Sequence, residues 1–330
     1  VNGGFGEDAM KKFLAALAAC AAFTCVPAGA QEWPQTPIRL IIAFGPGGGT
    51  DIVGRILQQP MQDKLGQPVV VENRPGAGGI LGADAVARAD KDGYTLGVMT
   101  NGHVIAGVLT SSPKYDTATA FETIGMIATA GLIIAARPDF PANNIQELIA
   151  QAKANPGKIS FASPGFGGTQ HFTGELFKQL AGVDMLHVPF RTSPEIISAV
   201  LGKQVDLLFD TIPAVLGQVQ GGQLKALAVT GSARFPALPN VPTVAESGGL
   251  PGYDVSTWYG LIAPKGLPPA VTAKLNKVLN EVLADKDVQE RLAKAGLVAR
   301  SSTPDDFGKY IVSEVARWDG VREGAKIPKQ

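Results

Sequence analysis

A short apolar run, Ile38-Arg39-Leu40-Ile41-Ile42, leads into the turn Phe44-Gly45-Pro46-Gly47-Gly48-Gly49-Thr50-Asp51. Helically spaced Ile52, Val53, Ile56, Leu57, Met61 and Leu65 follow. Strand, glycine turn and helix form the unit of open α/β sheets, and ligands bind at the turn. The unit returns as Ile159–Ala162, then Ser163-Pro164-Gly165-Phe166-Gly167-Gly168-Thr169-Gln170-His171, then a helix over Gly174–Leu180. Val69–Val71, Tyr94–Met99, Val205–Phe209 and Leu224–Val229 also read as strands. Ile145–Ala154 reads as a helix stopped by Asn155-Pro156-Gly157. Pro60 should kink the first helix. In the helical C-terminal third, Val271, Leu275, Val278, Leu279 and Val282 form one stripe, and Thr303, Pro304 and Asp306 carry an N-cap signature. Mostly parallel sheets flanked by helices are expected. No Pro/Ser-rich linker interrupts the pattern, so crossing strands rather than a tether should connect the domains.

Successive glycines bring backbone N–H groups close to a ligand, and the helix N-terminus behind them favours an anion. The first turn is not a phosphate loop, because no Gly-Lys-Ser/Thr follows. It is not a dinucleotide fingerprint either, since Thr50 stands where the last glycine belongs. Alone, it reads equally as a tight turn with Thr50 or Asp51 capping its helix. Two such turns make one shared small anion the economical reading. Phe44, Gly47, Gly48, Gly49, Thr50 and Asp51 are then candidate ligand-binding residues from the first, and Ser163, Gly168, Thr169 and His171 from the second. The loop Asn73-Arg74-Pro75-Gly76-Ala77-Gly78-Gly79 could line the same cleft. Arg191 is either a surface residue or a bidentate partner for a second carboxylate. Asp210 either caps the turn before Pro213 or accepts from a ligand amine or hydroxyl. His171 is a hydrogen-bond donor near the ligand or a cap of its own helix. His187 reads as packed, and His103, in the polar loop context Thr100-Asn101-Gly102, reads either way. Trp258-Tyr259 is an aromatic wall or plain core. An alternative of another class is an exported serine hydrolase using Ser163 with His171. A nucleophile elbow needs glycine where Phe161 stands, and no aspartate is placed by the sequence.

The chain has 330 residues, 45% of them hydrophobic, enough for two domains. Its 29 basic and 29 acidic residues cancel, which removes the electrostatic footprint of a nucleic-acid or membrane-surface binder. Both cysteines, Cys20 and Cys25, sit near the N-terminus, and the three histidines form no HxH or HExxH pair. Neither a metal nor a cofactor is expected. Met10-Lys11-Lys12, the apolar run Phe13–Phe23 and Ala28-Gly29-Ala30 have the three parts of a secretory signal peptide. Cleavage after Ala30 would leave Gln31 first, with Val1–Ala9 as upstream sequence. Leu17-Ala18-Ala19-Cys20 also fits a lipoprotein box, but the leader counted from Met10 would be short.

Further stretches carry a resemblance: Val71-Glu72-Asn73-Arg74-Pro75-Gly76-Ala77-Gly78-Gly79, Gly168-Thr169-Gln170-His171, His187-Val188-Pro189-Phe190 and Val205-Asp206-Leu207-Leu208-Phe209-Asp210. They continue as Pro239-Asn240-Val241-Pro242-Thr243-Val244-Ala245-Glu246 and Trp258-Tyr259-Gly260-Leu261. Over nearly all of Trp33–Lys326 the chain resembles the extracytoplasmic solute receptors of tripartite tricarboxylate transporters, the Bug proteins. The resemblance implies an α/β fold of periplasmic-binding-protein type II, two α/β domains joined by crossing strands with a ligand cleft between. Crossings near Ile124–Ala135 and Ser256–Ala263 would put residues 31–130 plus 255–330 in the first domain and 131–254 in the second, after 1–30 as leader. It also implies a monomeric periplasmic receptor with no enzymatic activity. Its partners would be a small carboxylate (a di- or tricarboxylate, an acidic amino acid or an aromatic acid) and the transporter's membrane subunits. Both glycine turns would hold one carboxylate, with Phe190-Arg191 and Asp210 on the facing wall. The family usually has proline at Gly45, so a looser first turn is expected. It usually has Tyr-Lys-Gly at Phe190-Arg191-Thr192, so ligand identity does not carry over.

Overall fold

The structure, a computed structural model, describes Gly6, residues 32–111, 115–324 and Lys329. The expected leader, with Cys20 and Cys25, lies outside the described residues. Val1–Gln35 and Thr36–Gln330 are separate units, and only the second is considered below.

The chain runs β1 (Ile38–Ile42), α1 (Gly49–Leu65), β2 (Val69–Asn73), α2 (Ile80–Ala87), β3 (Thr95–Thr100), α3 (Asn101–Leu109) and β4 (Phe121–Ala136). Then come α4 (Ile145–Ala154), β5 (Ser160–Pro164), α5 (Thr169–Ala181), β6 (Leu186–Phe190), α6 (Ser193–Leu201), β7 (Leu207–Thr211), α7 (Ile212–Gln220) and β8 (Lys225–Val229). It closes with α8 (Val244–Gly248), β9 (Ser256–Pro264), α9 (Pro269–Ala284), α10 (Lys286–Lys294), β10 (Val298–Ala299) and α11 (Pro304–Gly324). The strands lie in the order β2-β1-β3-β9-β4-β7-β5-β6, with β8 and β10 also paired to β4. The ends of this order are parallel, as expected, but β9 and β4 in the middle run antiparallel to their neighbours. Strand β4 joins the two halves. Its Phe121–Gly131 stretch pairs with β9, and Leu132–Ala136 pairs with β7. Leu132 to Ala136 are fully buried, which explains an apolar run without alternation. The chain returns at Val255, whose N–H donates to Thr230 O at 2.8 Å, before β9 begins.

Two local expectations change. Helix α5 starts at Thr169 rather than Gly174, because the glycine turn closes directly onto it. His103 is not in a loop. It is the third residue of α3, where its Nδ1 accepts from the Thr100 N–H at 3.0 Å as Thr100 Oγ1 accepts from Gly102 N–H. That is a capping box with an imidazole where Glu or Gln is the familiar signal. Leu186–Phe190 forms an edge strand despite Pro189, since an edge tolerates a missing donor. Helix α1 continues through Pro60 to Leu65. No helix among the described residues is long and apolar enough to cross a membrane.

One core gathers Trp258, Phe307 and Trp318 around β9 and α11, and another gathers Phe161, Phe177, Phe209 and Tyr253 around β5 and α5. In the first, Glu314 is 4% exposed and accepts from Trp258 Nε1 at 2.9 Å and Trp318 Nε1 at 3.0 Å. It ties α11 to β9. Glu314→Ala leaves two buried indole N–H groups without an acceptor, at about 1–3 kcal/mol each. The melting temperature should fall by at least about 5 °C; an unchanged melting curve would remove this anchor from the account.

Candidate functional site

Helices α1 and α5 begin on Gly48 and Gly168, both extended and both without a side-chain cap. The first bonds of the two helices are Ile52 N–H to Gly48 O and Phe172 N–H to Gly168 O, each 3.0 Å. The amides of Gly49 and Thr50, and of Thr169 and Gln170, therefore lie ahead of the ladder with no intrahelical acceptor. By contrast, α3, α6 and α8 are capped by the hydroxyls of Thr100, Thr192 and Thr243. The two uncapped N-termini meet at one cleft. Phe44, Gly48, Gly49 and Thr50 form one side of it, and Thr169, Gln170, Arg191 and Ser193 another. Thr211 and Tyr259 complete it from the end of β7 and the middle of β9.

Ser193 Oγ, Thr211 Oγ1, Tyr259 OH and Asp210 Oδ2 are buried there without a hydrogen bond of good geometry, the Ser193 and Thr211 hydroxyls lying close to the Asp210 carboxyl and Tyr259 close to Thr211 and Thr257. Gly49 admits them: a Cβ at that position would stand 2.4 Å from Tyr259 OH and 2.7 Å from Thr211 Oγ1. Gly45 has no room for a side chain. A Cβ there would lie 2.6 Å from Thr192 Cγ2 and 2.8 Å from Arg191 O.

Phe44, Gly48, Gly49, Thr50, Thr169 and Arg191, all nominated from sequence, line the cleft. The other nominated residues, Gly47, Asp51, Ser163, Gly168, His171 and Asp210, stand beside or behind it. Asp51 accepts from Gly47 N–H (3.0 Å), Arg55 Nε (2.9 Å) and Asn73 Nδ2 (3.0 Å). Burial pushes its carboxyl up, but these donors outweigh burial and its pKa is lowered. It therefore locks the first turn. Ser163 Oγ lies 2.7 Å from His187 Nε2, so its partner is His187 and not His171; β6 runs beside β5 and delivers it. His171 Nδ1 accepts from Gly167 N–H at 3.2 Å, which caps the second turn. Burial lowers both imidazoles to about 4, so they are neutral at pH 7.

Asn101 was not nominated, because nothing marks it beside Thr100 in the sequence. It is fully buried, accepts from Thr169 Oγ1 (3.2 Å) and Thr257 Oγ1 (2.7 Å), and donates to Ser256 O (2.9 Å). It straps the start of α5 to β9. Thr211 and Ser193 carry only a weak signal in the sequence: Thr211 ends β7 just before α7, and Ser193 opens α6. Among the described residues no cluster of His, Cys, Asp or Glu could hold a metal ion.

Asp210 is fully buried beneath the cleft, accepting from Thr211 N–H (2.7 Å) and Gln170 Nε2 (3.4 Å). Burial raises its pKa to about 6 against the Ser193 hydroxyl and those two donors. A raised carboxyl contributes stability that is full below its unfolded pKa near 4 and lost as pH rises through about 6. Asp210→Asn should therefore stabilise the protein at pH 8, by on the order of 2 kcal/mol, and make little difference at pH 4. Equal melting temperatures at pH 8 would contradict this.

A family model described as tripartite tricarboxylate transporter family receptor matches residues 53–326. BugT of Bordetella pertussis is 38% identical over 305 residues, covering 91% of this chain and 93% of that protein. The structure of the periplasmic binding protein BugD matches with a TM-score of 0.86 at 38% identity, over 90% of this chain and 100% of that one. MatC from Rhodopseudomonas palustris with bound malate matches with a TM-score of 0.83 at 32% identity, over 88% and 99%. The α/β fold is that of the periplasmic binding proteins. Joined to the two uncapped helix starts on one cleft, these likenesses show that the chain belongs to the receptor family of the tripartite tricarboxylate transporters, the Bug solute-binding proteins.

Proposed function

We propose that this protein is an exported, monomeric periplasmic receptor. It captures a small organic carboxylate and presents it to the membrane subunits of a tripartite tricarboxylate transporter, with no chemistry of its own. In this reading residues 31–130 plus 255–330 and residues 131–254 are two α/β domains that close on the ligand, and the leader before Gln31 directs export. The carrying observation is the pair of glycine-capped helix starts on one cleft. Free amides make charge-assisted hydrogen bonds to a carboxylate, and each dipole adds roughly 0.3–1 kcal/mol. The hydroxyls of Thr211 and Tyr259 supply further partners, and a ligand that leaves them unpaired is penalised. Malate in the MatC structure supports the same ligand class.

The Ser163–His187 contact of 2.7 Å favours the hydrolase alternative. Against it, Ser163 is fully buried, does not line the cleft, and also reaches Gly165 O at 3.0 Å. The receptor reading uses the groups that do line the cleft.

The test is a thermal-shift screen against mono-, di- and tricarboxylates, acidic amino acids and aromatic acids. A ligand at 100 times its Kd adds about 2.7 kcal/mol, a shift of several degrees. Thr169→Ala should raise the Kd of the responding acid about tenfold while the far-ultraviolet spectrum stays native. An unchanged Kd, or a protein that no carboxylate stabilises and that carries no co-purified anion by native mass spectrometry, would contradict the proposal.

A further inference from the structure

Beside the cleft lies an outer chamber walled by Phe44, Phe166, Phe190, Pro75, Pro164 and the backbone of residues 76–79. Phe44, Gly45, Pro164 and Arg191 border both spaces. The chemistry changes across that border. The hydroxyls of Thr50, Thr169, Ser193, Thr211 and Tyr259 line the inner cleft only, whereas Phe166, Phe190 and Pro75 line the outer chamber only.

Phe166, 49% exposed, ends an aromatic column. Ring centroids are 5.1 Å apart for Phe209–Phe161, 4.9 Å for Phe161–His187, 4.1 Å for His187–His171 and 4.4 Å for His171–Phe166. The column starts in the core, where Phe209 and Phe161 are fully buried, and stops at the chamber wall. With both imidazoles neutral it presents apolar ring faces and no charge.

Charge separates the carboxylate classes. Among the described residues bordering either space, Arg191 carries the one positive charge. Its backbone N–H, rather than its guanidinium, bonds Glu195 at 3.0 Å. Asp210 sits behind the inner cleft. A tricarboxylate would have to desolvate two further charges against phenyl rings with a single guanidinium to share.

We propose that the ligand is an aromatic monocarboxylate. Its carboxylate lies at the starts of α1 and α5, and its ring lies in the outer chamber, where it extends the column beyond Phe166 and packs on the Arg191 guanidinium. This rests on the receptor reading above and narrows it.

Isothermal titration of the purified protein with benzoate and 3-phenylpropionate, against cyclohexanepropionate, adipate, malate and citrate, tests the assignment. The tighter of the two aromatic acids should bind at least tenfold more tightly than every non-aromatic probe. Phe166→Ala, at an exposed position, should weaken that acid up to about tenfold and leave the weak binding of adipate unchanged. Adipate, malate or citrate matching the aromatic acids overturns this inference while leaving the receptor reading intact. Equal binding of cyclohexanepropionate, or an unaffected Phe166→Ala variant, overturns the stacking. If no carboxylate binds, both readings fall.

Discussion

Helix amides without acceptors are the constraint on which the site depends. At five helix starts in this protein a side chain answers the orphan donors: Thr100, Asn144, Thr192, Thr243 and Asp285 all do so. At α1 and α5, as at α2, glycine stands in the cap position and no side chain answers, and α1 and α5 are the two of these whose first residues line the cleft. Donors buried in that way cost free energy unless a partner arrives. Facing one another across a cleft, they favour an anion with two acceptor oxygens.

The surrounding structure holds these two helix starts in place. Asp51 fixes the first turn through Gly47, Arg55 and Asn73. Asn101 fixes the start of α5 against β9 through Thr169 and Ser256. Strand β4 runs from one group of strands into the other, so that the turns after β1 and β5 meet. Asp210 adds a buried carboxyl beneath the cleft, which discourages surplus negative charge there.

Much of this was legible in the residues. Strand, glycine turn and helix could be read twice because β-branched runs, glycines and helical spacing are local signals, and they located Gly49, Thr50 and Thr169. What was missed is non-local. Asn101 acquires its role only when α3, α5 and β9 converge. Ser163 finds His187 through parallel pairing of β5 with β6, not through the nearer His171. His103 was read in a loop because an imidazole capping box is unfamiliar. The antiparallel middle of the sheet was invisible because periodicity carries no direction.

The most direct test of the central claim is the ¹H–¹⁵N spectrum of the protein titrated with the carboxylate that stabilises it most. The account predicts that the amide protons of Gly49, Thr50, Thr169 and Gln170 move downfield together and saturate at one Kd, as unpaired donors gain a charged acceptor. If those four amides stay in place while resonances elsewhere shift, the anion binds somewhere other than between the two helix starts, and the account of the site is wrong.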